Sequence, residues 1–184
     1  TALVSLLGPI DYIAGMTRKT FETRTITSQP KSGKIIEVEV PTYVAGSIGF
    51  HSGAIASMIT TFDVWDSSLP RIEIYGSRGT LIVPDPNCFG GPVLLRTQYG
   101  SEFKEIPLMF GYSDNSRGLG FSDMLTHIGS DELHRANMYM QCHVLEAMCA
   151  MHISSDKKEY YKMTTSCERP KLLPRDLING ETRI

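Results

Sequence analysis

Two side chains with the chemistry of an acid–base pair stand four residues apart in the second half of the sequence. Asp123 and His127 fall in a segment with helical periodicity, so we expect them on one helix face. A carboxylate that orients an imidazole is a common general-base arrangement. The same spacing is equally typical of a surface or capping pair. Together with His134, the pair defines one hypothesis, an autonomous acid–base enzyme, although the charges around His134 favour structural ion pairing.

Other potential metal and nucleotide ligands lack the spacing that binding needs. His143, Cys149 and His152 are spread around a predicted helix, and no second cluster completes a tetrahedral site. The segment Gly118-Leu-Gly begins like a dinucleotide-binding loop, but Asp123 stands where the third glycine belongs. No strand-like run immediately precedes this segment, and no βαβ alternation surrounds it. The sequence therefore predicts neither a metal site nor a cofactor site in this chain.

A polar loop after the longest predicted strand holds the single tryptophan of the chain, Trp65. The Asp66 carboxylate and the Ser67 hydroxyl follow it directly. An aromatic ring with nearby hydroxyl and carboxylate groups is a common way to hold a sugar-sized polyol. A tryptophan at a strand end also packs on turns for structural reasons alone, so both interpretations stay open.

Composition excludes several classes of protein. The 184 residues are 41% apolar and 21% charged, which is typical of a globular protein. Eighteen basic against twenty acidic residues give a net charge of −2, so we expect no nucleic-acid partner. No apolar run approaches the ~20 residues that span a bilayer, so we expect no membrane partner. Four dispersed cysteines without a CxxC pair favour reduced thiols and a cytoplasmic location.

The hydrophobic periodicity predicts many strands and few helices. Apolar alternation and turn residues predict strands at 10–17, 20–27, 34–40, 43–50, 54–65, 71–75, 80–83, 93–97, 102–106 and 159–164. Residues 1–7 read as a helix end stopped by Gly8-Pro9, and we expect helices at about 121–128 and 131–153, the latter capped by Ser130. This pattern predicts an α+β fold: a large, open-faced, mainly antiparallel sheet with helices packed on one face.

The second face of that sheet presents a physical problem, because two or three helices cover only one face of so many strands. The strands at 43–50 and 54–65 carry no Lys, Arg, Glu or Asp before Asp63. Neither side of either strand is charged: the first has Ala45, Ser47 and Gly49 on one side and Val44, Gly46, Ile48 and Phe50 on the other, and the second has Ile55, Ser57, Ile59 and Thr61 opposite Ala56, Met58, Thr60 and Phe62. Such a face predicts a partner, in our interpretation another sheet. A face of neutral polar residues left in water is the alternative.

Several motifs follow one another in a characteristic order. Phe50-His-Ser-Gly-Ala precedes a long strand, then come Arg71-Ile-Glu-Ile-Tyr-Gly-Ser-Arg-Gly-Thr-Leu and Val83-Pro-Asp-Pro. Further along stand Arg117-Gly-Leu-Gly-Phe-Ser-Asp-Met, His134-Arg-Ala-Asn, His143-Val-Leu-Glu and Arg169-Pro. In this order the motifs resemble the C-terminal substrate domain of the Gfo/Idh/MocA oxidoreductase family, over nearly the whole chain.

The resemblance implies an NAD- or NADP-dependent oxidoreductase whose catalytic groups lie outside these residues. In that family an N-terminal Rossmann domain binds the nicotinamide and supplies the lysine of a Glu-Lys-Pro motif, and neither is found here. A second catalytic motif starts the helix that leads into the C-terminal domain, and residues 1–7 look like the end of that helix. The resemblance therefore leaves no catalytic residue in this chain, and we expect no cofactor bound to it.

The resemblance also implies partners and a substrate position. It implies a dimer or tetramer of identical subunits that meet through the open sheet face. A small-molecule sugar substrate would lie between the missing N-terminal domain and the helix-side edge of the sheet. We predict that Trp65, Asp66, Ser67 and Arg117 contact this substrate.

We therefore interpret 1–184 as a single C-terminal substrate-binding and oligomerisation domain of a sugar or polyol dehydrogenase, a fragment that is inactive alone. The alternative is a stand-alone, sheet-based binding or scaffold module. A gene that begins with Met immediately before Thr1 would favour the alternative. An upstream strand–glycine-rich loop–helix unit would eliminate it.

Overall fold

The computed structural model describes residues 1–173 and divides them into two compact units. The first contains Thr1–Asp66 and Asn137–Arg169, and the second contains Ser67–Ala136 with residues 170–173. The α+β class is confirmed, since antiparallel sheets combine with a few helices. The strands are hydrogen-bonded in three sheets, where the sequence pattern indicated one large sheet. The assignment of 1–184 to one C-terminal domain of a larger protein stays a prediction.

The main sheet of the first unit has four antiparallel strands in the order β10-β1-β4-β5. Helix α1 (Ala2–Leu7) ends at Gly8, whose φ of 89° lies in the region that glycine adopts freely, and leads into the sheet. The four strands are β1 (Ile10–Arg18), β4 (Tyr43–Phe50), β5 (Ile55–Thr61) and β10 (Tyr161–Lys162). β4 and β5 form the hairpin predicted from the turn at 51–53, where Gly53 has a φ of 84°.

Helix α3 (Met138–Lys157) covers one face of this sheet. Its buried side chains Met140, Ala147, Ala150 and Met151 join strand residues such as Ile13 and Ile48 in the core. The helix approaches the strands closely at Gly15, where an added Cβ would lie 2.8 Å from the Cα of Met151. In this close packing the Gly15 and Thr17 amides donate to the Ser154 and Ser155 hydroxyls, each over 2.9 Å.

The opposite face of the sheet is open. Cross-strand pairs place Met16 beside Ala45 and Ala45 beside Ile59, so these three side chains share the face turned away from α3. Met16 is 71% exposed, Ile55 74% and Ile59 57%. The part of the open face formed by β4 and β5 carries no charged side chain, as expected from the sequence, whereas charged residues lie on the same face at the end of β1 and on β10.

A two-stranded hairpin extends the first unit between β1 and β4. It consists of β2 (Thr23–Thr25) and β3 (Ile35–Glu37), paired antiparallel. Arg24 donates to the Phe62 carbonyl over 2.7 Å and lies 3.5 Å from the buried carboxylate of Asp63. These contacts tie the hairpin to the segment that follows β5.

The second unit contains a four-stranded antiparallel sheet and a short helix. The strand order follows the chain: β6 (Ile72–Gly76), β7 (Gly79–Val83), β8 (Val93–Arg96) and β9 (Lys104–Ile106). Both hairpins predicted from their turn residues are present, at 76–79 and around Gly100. Helix α2 (Leu119–Thr126) follows and has no buried residue.

The long helix begins and ends later than the sequence pattern predicted. Its N-cap is Asn137, whose side chain accepts from the Met140 amide over 3.1 Å, and Ser130 was the wrong cap. The amide of Arg135 donates to the Asp123 carboxylate over 2.7 Å, and this bond replaces a helical one in 131–136. The helix also continues through 154–157, beyond its predicted end at 153, and the strand predicted at 159–164 shortens to Tyr161–Lys162.

The buried face of the helix differs from the one that the sequence pattern predicts. Apolar residues at spacings of three and four from Leu133 to Met151 predict one buried face, but Met148 is 63% exposed, and Leu133 and Ala136 lie outside α3. The polar residues His143 and Ser154 are buried instead.

The apolar sequence around Cys142 and Cys149 favours buried thiols, but both residues are exposed, and the four cysteine thiols are free. Across residues 1–173, no helix has the length and apolar character to cross a membrane.

Candidate functional site

The loop that holds Trp65 is fully open to solvent. Trp65 is 105% exposed, so it does not pack on a turn, and Asp66 and Ser67 are exposed beside it. The Leu69 amide donates to the Ser67 hydroxyl over 3.2 Å, which shapes the loop locally. The boundary between the two units falls between Asp66 and Ser67. The exposed indole provides a flat apolar surface of the kind that sugar rings contact.

Arg117, the fourth predicted contact, lines a cavity of about 480 Å³ within the second unit. One wall is the loop after β7, residues 87–91, and the other wall comprises residues 113–115 with Arg117. Four of its lining residues carry an amide, carboxylate or guanidinium group: Asn87, Asp114, Asn115 and Arg117. In the part of the chain that the structure describes, none of these four side chains forms a hydrogen bond or ion pair. The cavity therefore offers both donors and acceptors to a ligand.

Two glycines allow the walls of the cavity to meet. A Cβ on Gly90 would lie 2.5 Å from the carbonyl oxygen of Ser113, so only glycine permits this approach. Gly91, with a φ of 129°, would likewise meet the side chain of Pro84. The loop is further shaped by the Asn87 amide, which donates to the Asp85 carboxylate over 2.8 Å. Sequence analysis missed Asn87 and Asn115, because no spacing signal connects loops that are about 25 residues apart.

The pair Asp123 and His127 does not form the geometry of a general base. Both oxygens of the Asp123 carboxylate are engaged by Arg135, one by its amide and one by its guanidinium. The His127 Nδ1 lies 2.6 Å from the Asp123 carbonyl oxygen and 3.8 Å from the carboxylate. The Arg135 guanidinium also donates to the carbonyls of Lys171 and Leu172. This cluster holds α2 to the later chain, as expected for structural ion pairing.

His143 belongs to a buried hydrogen-bond chain in the first unit. Its Nε2 accepts from the Ile10 amide over 2.9 Å, so its proton lies on Nδ1, which donates to the Thr165 hydroxyl over 3.0 Å. That hydroxyl donates in turn to Glu146. Burial lowers the pKa of His143 and keeps the ring neutral. Both ring nitrogens are thus occupied, which is typical of a structural histidine.

Glu146 is the strongest electrostatic feature of the described residues. Burial raises its pKa, but hydrogen bonds from the side chains and amides of Thr164 and Thr165 outweigh burial and hold the pKa at about 2. The two amides lie 2.7 and 2.8 Å from the carboxylate. Sequence analysis gave Glu146 no role of its own; the Thr-Thr pair after a strand was the available signal. The contacts join α3 to the segment after β10.

The potential metal ligands do not come together. Cys149 is exposed on α3, whereas His143 is buried beneath the same helix. Among residues 1–173, no three His, Cys, Asp or Glu side chains are grouped so that they could hold a metal ion.

The first 82 residues of the chain match a known protein family. Residues 1–82 match the profile of the family described as the GFO/IDH/MocA C-terminal domain. This match confirms, over residues 1–82, the resemblance read from the sequence motifs. No curated protein matches the chain in sequence.

Solved structures extend the likeness in fold to most of the chain. An NAD binding oxidoreductase from Klebsiella pneumoniae has a TM-score of 0.64 at 17% identity, over 88% of this chain and 47% of that one. Levoglucosan dehydrogenase in complex with NADH and L-sorbose has a TM-score of 0.63 at 16% identity, over 89% and 47%. An oxidoreductase from Agrobacterium radiobacter, in complex with NAD+, L-tartaric acid and magnesium, gives 0.54 at 11%, over 87% and 45%. This chain spans about half the length of these solved structures.

Proposed function

We propose that this chain is the substrate-binding and oligomerisation domain of an NAD-dependent oxidoreductase that acts on a sugar or polyol. The observation that carries the proposal is the family match at residues 1–82, together with a fold shared with one half of NAD-binding oxidoreductases. In such an enzyme the nicotinamide and the catalytic lysine belong to the other half. This domain then shapes the substrate pocket and holds the subunits together.

The substrate class is supported by the chemistry of the predicted contact residues. Trp65 offers an exposed ring, Asp66 and Ser67 offer a carboxylate and a hydroxyl, and Arg117 offers a charged donor in the cavity. Apolar surfaces, donors and acceptors of these kinds are what hydroxyl-rich ligands bind. The L-sorbose complex of levoglucosan dehydrogenase is in keeping with this class.

Nicotinamide binding and turnover test whether this chain binds the substrate while the other half of the enzyme binds the nicotinamide. We expect no saturable NADH binding in fluorescence titrations of the purified 184-residue chain, and no oxidation of sugars by it alone. The complete coding product is expected to oxidise a sugar or polyol with NAD or NADP. Saturable NADH binding to the 184-residue chain, or a complete product without oxidoreductase activity, would contradict the proposal.

We propose that the open face of the main sheet joins identical subunits. Its support is the exposure of Met16, Ile55 and Ile59 on one face, which leaves apolar area in water. Two-fold symmetry lets one such face pack against its own copy. Ile59→Lys places a charge on this face, in the edge strand β5, and is expected to give monomers in sedimentation velocity.

A matched control separates this surface from general effects of an added charge. Ile35 is 71% exposed on β3, outside the main sheet, so Ile35→Lys is expected to leave the oligomeric state unchanged. If Ile59→Lys remains fully associated at the same concentration, the subunit interface lies elsewhere.

A further inference from the structure

The cavity in the second unit holds two opposite charges that are not paired with each other. Asp114 and Arg117 both line it, yet the structure forms no ion pair between them and none with any other described residue. Both residues are exposed, and an ion pair between exposed side chains contributes little, so the two charges stay separate at little cost. Both lie on the same wall of the cavity, and each remains available to a ligand.

The remaining lining supplies neutral polar groups and one apolar surface. The amides of Asn87 and Asn115 each offer both a donor and an acceptor. Phe89, which is 45% exposed, provides an aromatic surface at the same cavity. The volume of about 480 Å³ lies in the range of small-molecule sites.

We infer that this cavity binds a polyhydroxylated carboxylic acid, a sugar acid, rather than a neutral sugar. A guanidinium pairs with a carboxylate through two parallel hydrogen bonds, a geometry that a hydroxyl cannot reproduce. Arg117 is therefore assigned to the carboxylate of the ligand. Asp114, an acceptor when ionised, is assigned to a hydroxyl that donates to it. The inference rests on the proposed function for one point, that the ligand is polyhydroxylated.

Three small probes separate the contributions of carboxylate and hydroxyls. The ¹⁵N-labelled 184-residue chain is titrated with sodium D-gluconate, with sorbitol, which lacks the carboxylate, and with acetate, which lacks the hydroxyls. We expect saturable amide shifts at residues 87–91 and 113–117 with gluconate, and at least tenfold weaker binding of the other two. Equal binding of sorbitol and gluconate, or no shift with gluconate, overturns the inference.

Two arginine variants test the assigned role of the guanidinium. Arg117→Gln retains hydrogen-bonding groups but not the charge, and it is expected to weaken gluconate binding at least tenfold while leaving sorbitol binding unchanged. Arg78→Gln, in the exposed turn between β6 and β7, serves as the matched control and is expected to bind gluconate like the natural chain. Gluconate binding that Arg117→Gln does not weaken overturns the inference.

The outcome is independent of the test of the proposed function. If gluconate does not bind but the complete coding product oxidises a neutral polyol with NAD, the sugar-acid inference fails alone. If gluconate binds through Arg117 but the complete product has no oxidoreductase activity, the proposed function fails and the cavity remains a binding site for the acid.

Discussion

The contribution of a single carboxylate, that of Glu146, to the free energy of unfolding can be measured with one substitution. Replacing it by Gln keeps the shape of the side chain but removes the negative charge that accepts four hydrogen bonds from Thr164 and Thr165. The pKa falls from 4.5 to about 2 on folding. At ~1.4 kcal/mol for each pKa unit, this change is equivalent to about 3 kcal/mol. Water screens a partly exposed carboxylate, so we expect Glu146→Gln to lower the free energy of unfolding by about 2 kcal/mol near neutral pH.

The pH dependence of this loss has a defined sign. A carboxyl whose pKa is lower in the folded state stabilises fully above the unfolded pKa of 4.5, and this contribution disappears as the pH falls towards 2. The difference between the natural chain and Glu146→Gln should therefore shrink to about 1 kcal/mol at about pH 3.5.

Urea unfolding followed by far-ultraviolet circular dichroism measures this difference at both pH values. Glu168→Gln serves as the control, since Glu168 is exposed and forms no ion pair with another described residue, and its effect should stay within ~0.5 kcal/mol. A loss for Glu146→Gln that is the same at both pH values, or no larger than that of the control, would refute the account of Glu146 as a charged anchor.

Two further predictions concern packing and exposure. Gly15→Ala introduces a Cβ against the backbone of Met151 and is expected to lower the free energy of unfolding by about 2 to 3 kcal/mol. Gly120 has open space around it in α2, so Gly120→Ala is expected to raise the free energy of unfolding by up to ~1 kcal/mol. Equal losses for the two variants in urea unfolding would contradict this packing. In the folded chain the exposed thiols of Cys88, Cys142 and Cys149 should react rapidly with a disulfide reagent in absorbance assays. Cys167 should react slowly, because burial raises its pKa. Slow reaction of the three exposed thiols would place them in an interface.

The hairpins could be predicted from sequence because their signals are local. Alternation of apolar residues on both sides of Gly53 and of Gly100 marks strands and turns at once, and both glycines have the positive φ that such turns require. The absence of charged residues from β4 and β5 was equally visible in the sequence, and the alternation along each strand showed which of its residues share a face.

The start of α3 could not be predicted, because a distant residue decides it. Residues 131–136 have acids and a Ser130 cap that favour helix, but Asp123 binds the Arg135 amide and prevents that turn. The phase of α3 was also hidden. Its buried face includes His143 and Ser154, whose polar atoms are satisfied by strand amides, and a pattern of apolar residues alone does not register them.

The candidate site was predicted in part for the same reason. Arg117 was predicted as a substrate contact because it belongs to a motif of the family resemblance. The cavity that it lines depends on the contact of Gly90 with Ser113, and no sequence pattern predicts this contact. Trp65 was visible as the single tryptophan after a strand, yet its full exposure depends on where the chain turns away from β5.

The hydroxyls of Ser154 and Ser155 fix α3 to β1 in one register, since each accepts from a particular strand amide through the gap beside Gly15. Sliding the helix by a single turn would break both bonds and drive Met151 into the strand. The two hydrogen bonds therefore hold the covered face of the sheet to α3 in one position. A partner on the open face would meet a sheet that α3 holds in one register, and we expect its affinity to depend on shape complementarity.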